Sequence, residues 1–274
     1  MTETPSWLDE LDLDPHAEPV SMGVRTLADR PWLVRDERAG EELRLKERLC
    51  SERHEEVFAA ESSALGPSEV VHALLVDHGV AVVDVADLHP LDRAGRSVQE
   101  DLCVMQRRSH GWYLTAASLC FPSRWRLRDK IGRHVTEVHG PVHGYDQRLA
   151  SKVDTFFDRL SASPVWRRNW FVHPDASLFQ PDRPAEGDPV IRADQAIDML
   201  VVRSERQTLR RLDPVDDAIL FTIRVQQATL RELLVNRERG ERFRRLLASA
   251  PSETLAHRGM RPEQVLEIQE ALRA

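Results

Sequence analysis

Cysteine is scarce in this chain: Cys50, Cys103 and Cys120 are the only three, and no two stand in a C-x-x-C arrangement. An odd, scattered set excludes a disulfide framework and a zinc ribbon, and it fits a reducing compartment. Long hydrophobic runs are also missing, since no apolar stretch approaches the roughly 20 residues that span a bilayer. The N-terminal stretch Met1 to Asp14 is acidic and lacks the basic and apolar regions of a secretory signal, so the cytoplasm is the expected location. Blocks of positive charge are absent too. The 38 Lys and Arg are spread along the chain against 45 Asp and Glu, for a net charge of −7. That distribution argues against nucleic acid and anionic membrane surfaces as partners.

What is present is ordinary globular material, 41% hydrophobic and 30% charged over 274 residues, enough to bury a core. Residues 1 to about 40 are rich in Pro, Asp and Glu but carry the spaced anchors Trp7, Leu8, Leu11, Leu13, Met22, Leu27, Trp32 and Leu33. They predict an arm lying over the core. Apolar positions at helical spacing predict amphipathic helices over Glu41 to Phe58 and Pro67 to Val83.

The pattern changes at Val98. Two β-like runs, LCVMQ and GWYLTAASLCF, flank the polar turn RRSHG and predict a hairpin. Short helical stretches follow, broken at Gly132, Gly140, Pro141 and Gly144, and end in the patterned helix Gln147 to Leu160. Three further strand-like runs cover 165–172, 196–212 and 218–226, and the chain then turns charged and helical. Two strands, helices, then three strands is the order of a PAS domain. The expected class is therefore α+β: a PAS-like antiparallel sheet, with short helices between strands two and three and helical extensions at both ends. The corresponding division is an arm and helical extension over 1–97, a core over 98–229 and a C-terminal extension over 230–274.

Six blocks carry a more specific signal: VQEDLCVMQ (98–106), CFPSRWRLRDKIG (120–132), VHGPVHGYDQRL (138–149), VDTFFDRL (153–160), VWRRNW (165–170) and RSERQTLRRL (203–212). In this order they resemble the haem-dependent oxidative N-demethylase α-subunit family, and the likeness runs from about Met22 to Leu230. The resemblance implies a haem b in a PAS-like fold and a monooxygenase reaction on a small secondary or tertiary amine and O₂, releasing formaldehyde. It also implies electrons from NADPH through a separate flavin and iron–sulfur reductase. In keeping with that, the chain has no C-x-x-C-H motif for covalent haem, no G-x-G-x-x-G fingerprint and no cysteine cluster for an iron–sulfur centre. Two departures bear on the substrate: His143 stands where many relatives have Pro, and Phe171-Val172 follows RNW where Ser-Ile is more usual.

A haem needs an axial donor, an apolar slot and cations for its propionates. His139, at the end of a short helix before Gly140-Pro141, is the first choice for the axial ligand, with His143, His134 and His173 as alternatives. Cys120 is a further donor, although its apolar strand context fits plain packing. Arg124 and Arg206 are candidate propionate clamps, because guanidinium binds carboxylate bidentately, and Trp125 sits beside Arg124. Strand alternation in VWRRNW puts Trp166, Arg168 and Trp170 on one face, able to wall a flat cofactor or simply to fill a core. Glu205 is the candidate partner for a cationic amine, with Tyr145 and Asp146 as candidates for substrate or proton handling. Gln99-Glu100-Asp101 reads as a structural turn before a strand, not as half of a metal site.

Two other functions are compatible with the same residues, a haem-based PAS gas or redox sensor and a haem-free scaffold subunit. The sequence leaves open whether the chain is a monomer or a homo-oligomer.

Overall fold

A computed structural model describes residues 4–17, 23–138, 147–161, 163–215 and 217–273. Its frame is one antiparallel sheet of seven strands: β1 (Arg25–Thr26), β2 (Phe58–Ala60), β3 (Asp101–Arg108), β4 (Gly111–Ser118), β5 (Val165–His173), β6 (Val201–Arg211) and β7 (Ala218–Thr229), in the spatial order β1-β5-β6-β7-β3-β4-β2. The α+β expectation is met, and so is the order of a hairpin, helices and three more strands. The two edge strands are additions that the sequence pattern did not announce.

Local chemistry explains most of the elements. The β3–β4 hairpin closes through Ser109 and His110, with Arg108 opposite Gly111. Gly111 has φ +132°, a conformation that side chains avoid. At the end of β7, Thr229 and Glu232 form a capping box that turns the chain into the helix Leu230–Val235. Pro90 in the first turn of Pro90–Ser97 has no N–H to leave unsatisfied. The strand-like run expected over 196–212 divides: Ala193–Met199 is helical and only Val201–Arg211 is extended. Its helical start is held by Glu267, whose Oε2 accepts the Ala193 N–H at 2.8 Å. That contact comes from the far end of the chain, so no local pattern reveals it.

Alternation gives the sheet two faces. Even-numbered positions of β5 to β7, among them Trp166, Trp170, Val172, Val202, Leu220 and Ala228, pack under the N-terminal arm and the terminal helices. Of the anchors expected in the arm, Trp7, Leu8, Leu11, Leu13, Leu27 and Trp32 are buried, Leu33 is half-buried and Met22 lies outside the described residues. Odd-numbered positions, Leu209, Ile219, Ile223 and Val225 together with Cys103 and Met105 of β3, form a second core. The helices Val135–Val138 and Gln147–Arg159 cover it through Val135, Val138, Val153, Phe156 and Phe157. Among the described residues no helix is long and apolar enough to cross a membrane.

A buried ion pair joins these layers. Lys46, on the helix Ala39–Glu52, lies 3.2 Å from Asp101 of β3, and neither side chain is exposed. Lys46 also donates to the carbonyls of Glu100 at 2.5 Å and Gly95 at 3.3 Å. Asp101 accepts the N–H groups of Cys120 and Phe121, both at 2.8 Å, where the chain leaves β4. The expected structural role of the Gln99-Glu100-Asp101 turn is met: Gln99 binds Asp36 and Glu42, and the Glu100 carboxylate accepts the Val34 N–H at 2.7 Å.

Breaking a buried pair leaves one charge without an anion or cation, which destabilises by about 3–5 kcal/mol. Asp101→Asn and Lys46→Met should each lower the urea midpoint on that scale, and the double variant should lose less than the sum of the two. Strict additivity in a double-mutant cycle would show that Lys46 and Asp101 do not act as a pair.

Candidate functional site

The odd-numbered face carries polar groups at one side and apolar groups at the other. On β5 and β6, Asn169 stands opposite Glu205 and Arg167 opposite Gln207. Arg167 Nε donates to Gln207 Oε1 at 2.6 Å, and Gln207 Nε2 donates to Glu205 Oε2 at 2.8 Å. Glu205 is therefore a buried carboxylate, 8% exposed, whose position is set by a neighbouring amide. Next to this polar strip come Phe221, Ile223 and Val225 of β7 and, from the surrounding segments, the partly buried aromatics Trp125, Phe156 and Phe179.

Arg203, on the same face, governs the segments above it. Fully buried, it donates to Ser123 Oγ at 2.9 Å and to the carbonyls of Phe121, Pro122, Ser177 and Leu178 at 2.9–3.2 Å. Burial in the first place brings its pKa down to about 10. The loop that follows is fixed by Arg124, which adopts φ +66° and forms a two-point bond to Asp188 at 2.6 and 2.5 Å. Trp125 is directed into the odd-face core from this loop.

The expected site residues are divided by the sheet. Glu205 and Trp125 belong to the odd face, with Arg124 beside them. Trp166, Arg168, Trp170 and Arg206 belong to the even face, under the arm. Trp166 packs with Leu27 and Trp32, and Trp170 Nε1 donates to the Asp12 carbonyl at 3.0 Å. Arg168 binds Glu10 at 2.7 Å, together with Ser204 and Gln226. Arg206 donates to the carbonyls of Trp32 at 3.0 Å and Pro31 at 2.5 Å. His139, His143, Tyr145 and Asp146 lie outside the described residues. Their flanks do not: Val138 on one side and Val153 on the other both pack on the odd-face core.

The other donors separate clearly. His134 Nδ1 is 2.8 Å from Thr136 Oγ1, and its buried Nε2 has no hydrogen-bond partner but lies 3.2 Å from the Asp154 carboxylate. Cys120 is buried with its Sγ 4.0 Å from Cys50 Sγ; that contact and burial push its pKa well up, which keeps it a thiol. His173, at the end of β5, is 5% exposed and its Nδ1 has no hydrogen-bond partner. Burial, with the cations Arg124 and Arg203 nearby, lowers its pKa to about 4, so it is a neutral imidazole with a free nitrogen. Sequence reasoning missed Arg203 as the clamp of this region. The available signal was the charged alternation of RSERQTLRR in a strand flanked by apolar ones, where the inward charges must find partners.

Among the described residues no three His, Cys, Asp or Glu gather as a metal site. A haem asks for less, since the porphyrin supplies four nitrogens and the protein a single axial donor. An apolar face with aromatic edges and a neutral buried imidazole fit that requirement, while the nearby Arg124 and Arg203 are already engaged by Asp188 and by backbone carbonyls.

The His173 shift has a consequence for stability. Its folded pKa, about 4, lies below the unfolded value near 6.5, so the folded state binds fewer protons in between. The contribution is fully present above pH 6.5 and is lost as pH falls toward 4, up to about 3 kcal/mol if the group stays buried. His173→Gln should flatten the stability curve between pH 6.5 and 4 relative to the parent, measured by chemical denaturation. An unchanged slope would mean that His173 is not the buried neutral group described.

Comparison with known families adds an independent finding. The family model described as haem-dependent oxidative N-demethylase, alpha subunit-like, matches residues 49–264, which is most of the chain and includes β2 to β7. By that match the chain belongs to the haem-dependent oxidative N-demethylase α-subunit-like family.

Proposed function

We propose that the protein is a haem b monooxygenase that oxidises a small amine, with a PAS-like core over 98–229 that holds the haem against the odd-numbered face of the sheet. The order β5-β6-β7-β3-β4 with helices between β4 and β5 supports the PAS-like reading. One observation carries the placement: the two faces differ in what is free. The even face is committed to the arm through Arg168, Trp170 and Arg206. The odd face combines apolar surface, a buried carboxylate and the anchored ends of the segment that contains His139.

In this reading His139 is the axial ligand, with His173 as the described alternative, because its Nδ1 is unpartnered and, unlike His134 Nε2, faces no carboxylate at ion-pair distance. Trp125 borders the slot, and Arg124, paired with Asp188, fixes the loop that carries it and would have to exchange that partner to bind a propionate. The even-face residues Trp166, Arg168, Trp170 and Arg206 support the sheet from behind. When bound, the haem supplies dioxygen activation with electrons from a separate NADPH-linked flavin and iron–sulfur reductase. The chain's own residues do the rest. Glu205 holds the ammonium form of the amine, since a cation entering an apolar site needs an anionic partner. Gln207 orients Glu205, while the aromatic edges exclude water. Tyr145 and Asp146 are proposed to handle protons at the amine.

Purified protein should take up haem b non-covalently and show a Soret band, and should turn over amine only with an added reductase. His139→Ala should lose haem or shift to a weakly ligated high-spin spectrum that imidazole partly restores, with His173→Ala spectrally native. The reverse pattern would move the ligand to His173, and a protein that takes up no haem would remove the reading altogether. Glu205→Gln should raise KM for a cationic amine about 10- to 150-fold, as expected for a charged hydrogen bond of about 1.5–3 kcal/mol. Haem content should stay at the parent level, and an unchanged KM would take Glu205 out of the substrate role.

A further inference from the structure

On the even face, away from Glu205, a cleft of about 390 Å³ opens between the arm and the sheet. Its size is at the low end of small-molecule sites. Six arginines line it: Arg30, Arg35 and Arg38 from the arm and Arg168, Arg206 and Arg224 from the sheet. Four carboxylates, Glu10, Asp36, Glu37 and Glu42, line it as well, which leaves an excess of two positive charges.

Most of the acids are already engaged. Glu10 is shared by Arg30 at 2.5 Å and Arg168 at 2.7 Å. Asp36 and Glu42 both bind Arg224, at 2.6 and 2.8 Å, and Gln99 donates to each of them. Glu37 is exposed at the rim. Three cations are left without a carboxylate among the described residues. Arg206 is 3% exposed and donates only to the carbonyls of Pro31 and Trp32, so this buried guanidinium lines the cleft with no carboxylate bonded to it, Glu100 and Glu10 acting on it only at longer range. Arg35 and Arg38 are exposed at the mouth. Arg224 Nε is a buried donor with no acceptor.

A buried charge without a partner of opposite sign is strongly unfavourable, and guanidinium forks match carboxylate and phosphate oxygens two at a time. Trp7, Pro31 and Val34 supply apolar wall beside these cations, which suits an organic body more than a bare halide. We propose that this cleft binds a small organic anion bearing carboxylate or phosphate groups, held between Arg206 at its base and Arg35 and Arg38 at its mouth. The ligand ties the arm to the sheet, since its partners come from both. The site is separate from the haem face, and its assignment does not depend on the amine-oxidation reading.

The test uses the full chain, with citrate and pyrophosphate as probes, in calorimetric titration and thermal melting at constant ionic strength set with NaCl. At least one probe should bind saturably and raise Tm above the NaCl reference. Tighter citrate binding identifies a carboxylate ligand and tighter pyrophosphate binding a phosphate ligand. Arg35→Ala/Arg38→Ala should weaken binding at least about tenfold, the loss expected when charge-assisted bonds are removed. Arg244→Ala/Arg245→Ala, which removes the same charge from exposed positions on the helix Arg237–Ser249, should bind like the parent. Arg206→Gln should also lose binding while keeping a cooperative melt; should it fail to fold, the mouth variant still decides. No saturable binding of either probe, or equal weakening by the two double variants, would overturn the proposal.

Discussion

The pairing of Lys46 with Asp101 is the contact on which the rest of the architecture depends. Asp101 opens β3, the strand that joins the hairpin to β7, and its two oxygens take the backbone N–H groups of Cys120 and Phe121. The chain must leave the sheet at that point, and two N–H groups freed from the ladder would otherwise be buried without acceptors. Lys46 compensates the carboxylate and, through the carbonyls of Gly95 and Glu100, fixes the helix Pro90–Ser97 against the same corner. Gly95 allows that closeness, because a side chain there would collide with Ser118 Oγ. The corner sets where residues 120–125 begin, and Arg203 then pins their path over the odd face.

β6 shows how one strand can serve two layers. Arg203, Glu205 and Gln207 face the helices, while Ser204, Arg206 and Thr208 face the arm side, and nearly all are buried. A central strand with this many charges is tolerable only if each finds a partner on its own side. Arg203 meets carbonyls, Glu205 meets Gln207, and Thr208 meets Thr222 across the ladder at 2.6 Å. Arg206, like Arg203, is matched by backbone carbonyls and bonds no carboxylate.

The sequence made the hairpin, the long helix ahead of β5 and the three last strands legible, because period-two alternation and turn residues are local signals. Burial of the arm was legible from the spacing of its Trp and Leu residues. The edge strands Arg25–Thr26 and Phe58–Ala60 were not, since two or three residues carry no period. Alternation in VWRRNW was read correctly, but which face meets which layer is a tertiary fact. Trp166 and Trp170 therefore belong to the arm side, although paired tryptophans on one face fit a cofactor wall equally well. Arg203, Asp101 and His173 act through partners 19 to 82 residues away or through burial itself, and neither appears in a local pattern.

The division of the faces also limits what the site can be. A flat cofactor laid on the even face would have to displace the Arg168–Glu10, Trp170–Asp12 and Arg206–Trp32 contacts, and would leave buried donors unsatisfied at about 1–3 kcal/mol each. On the odd face the matching positions of β7 are the half-buried Phe221 and the buried Ile223 and Val225, apolar side chains that hold no hydrogen bonds to be displaced. The same face already holds Glu205 in a fixed position through Gln207, and a prepositioned carboxylate loses little freedom when a cation arrives. Val138 and Val153 both pack on this face. The apolar surface and the buried carboxylate thus share one side of the sheet, and the other side is left to the arm and its cleft of arginines.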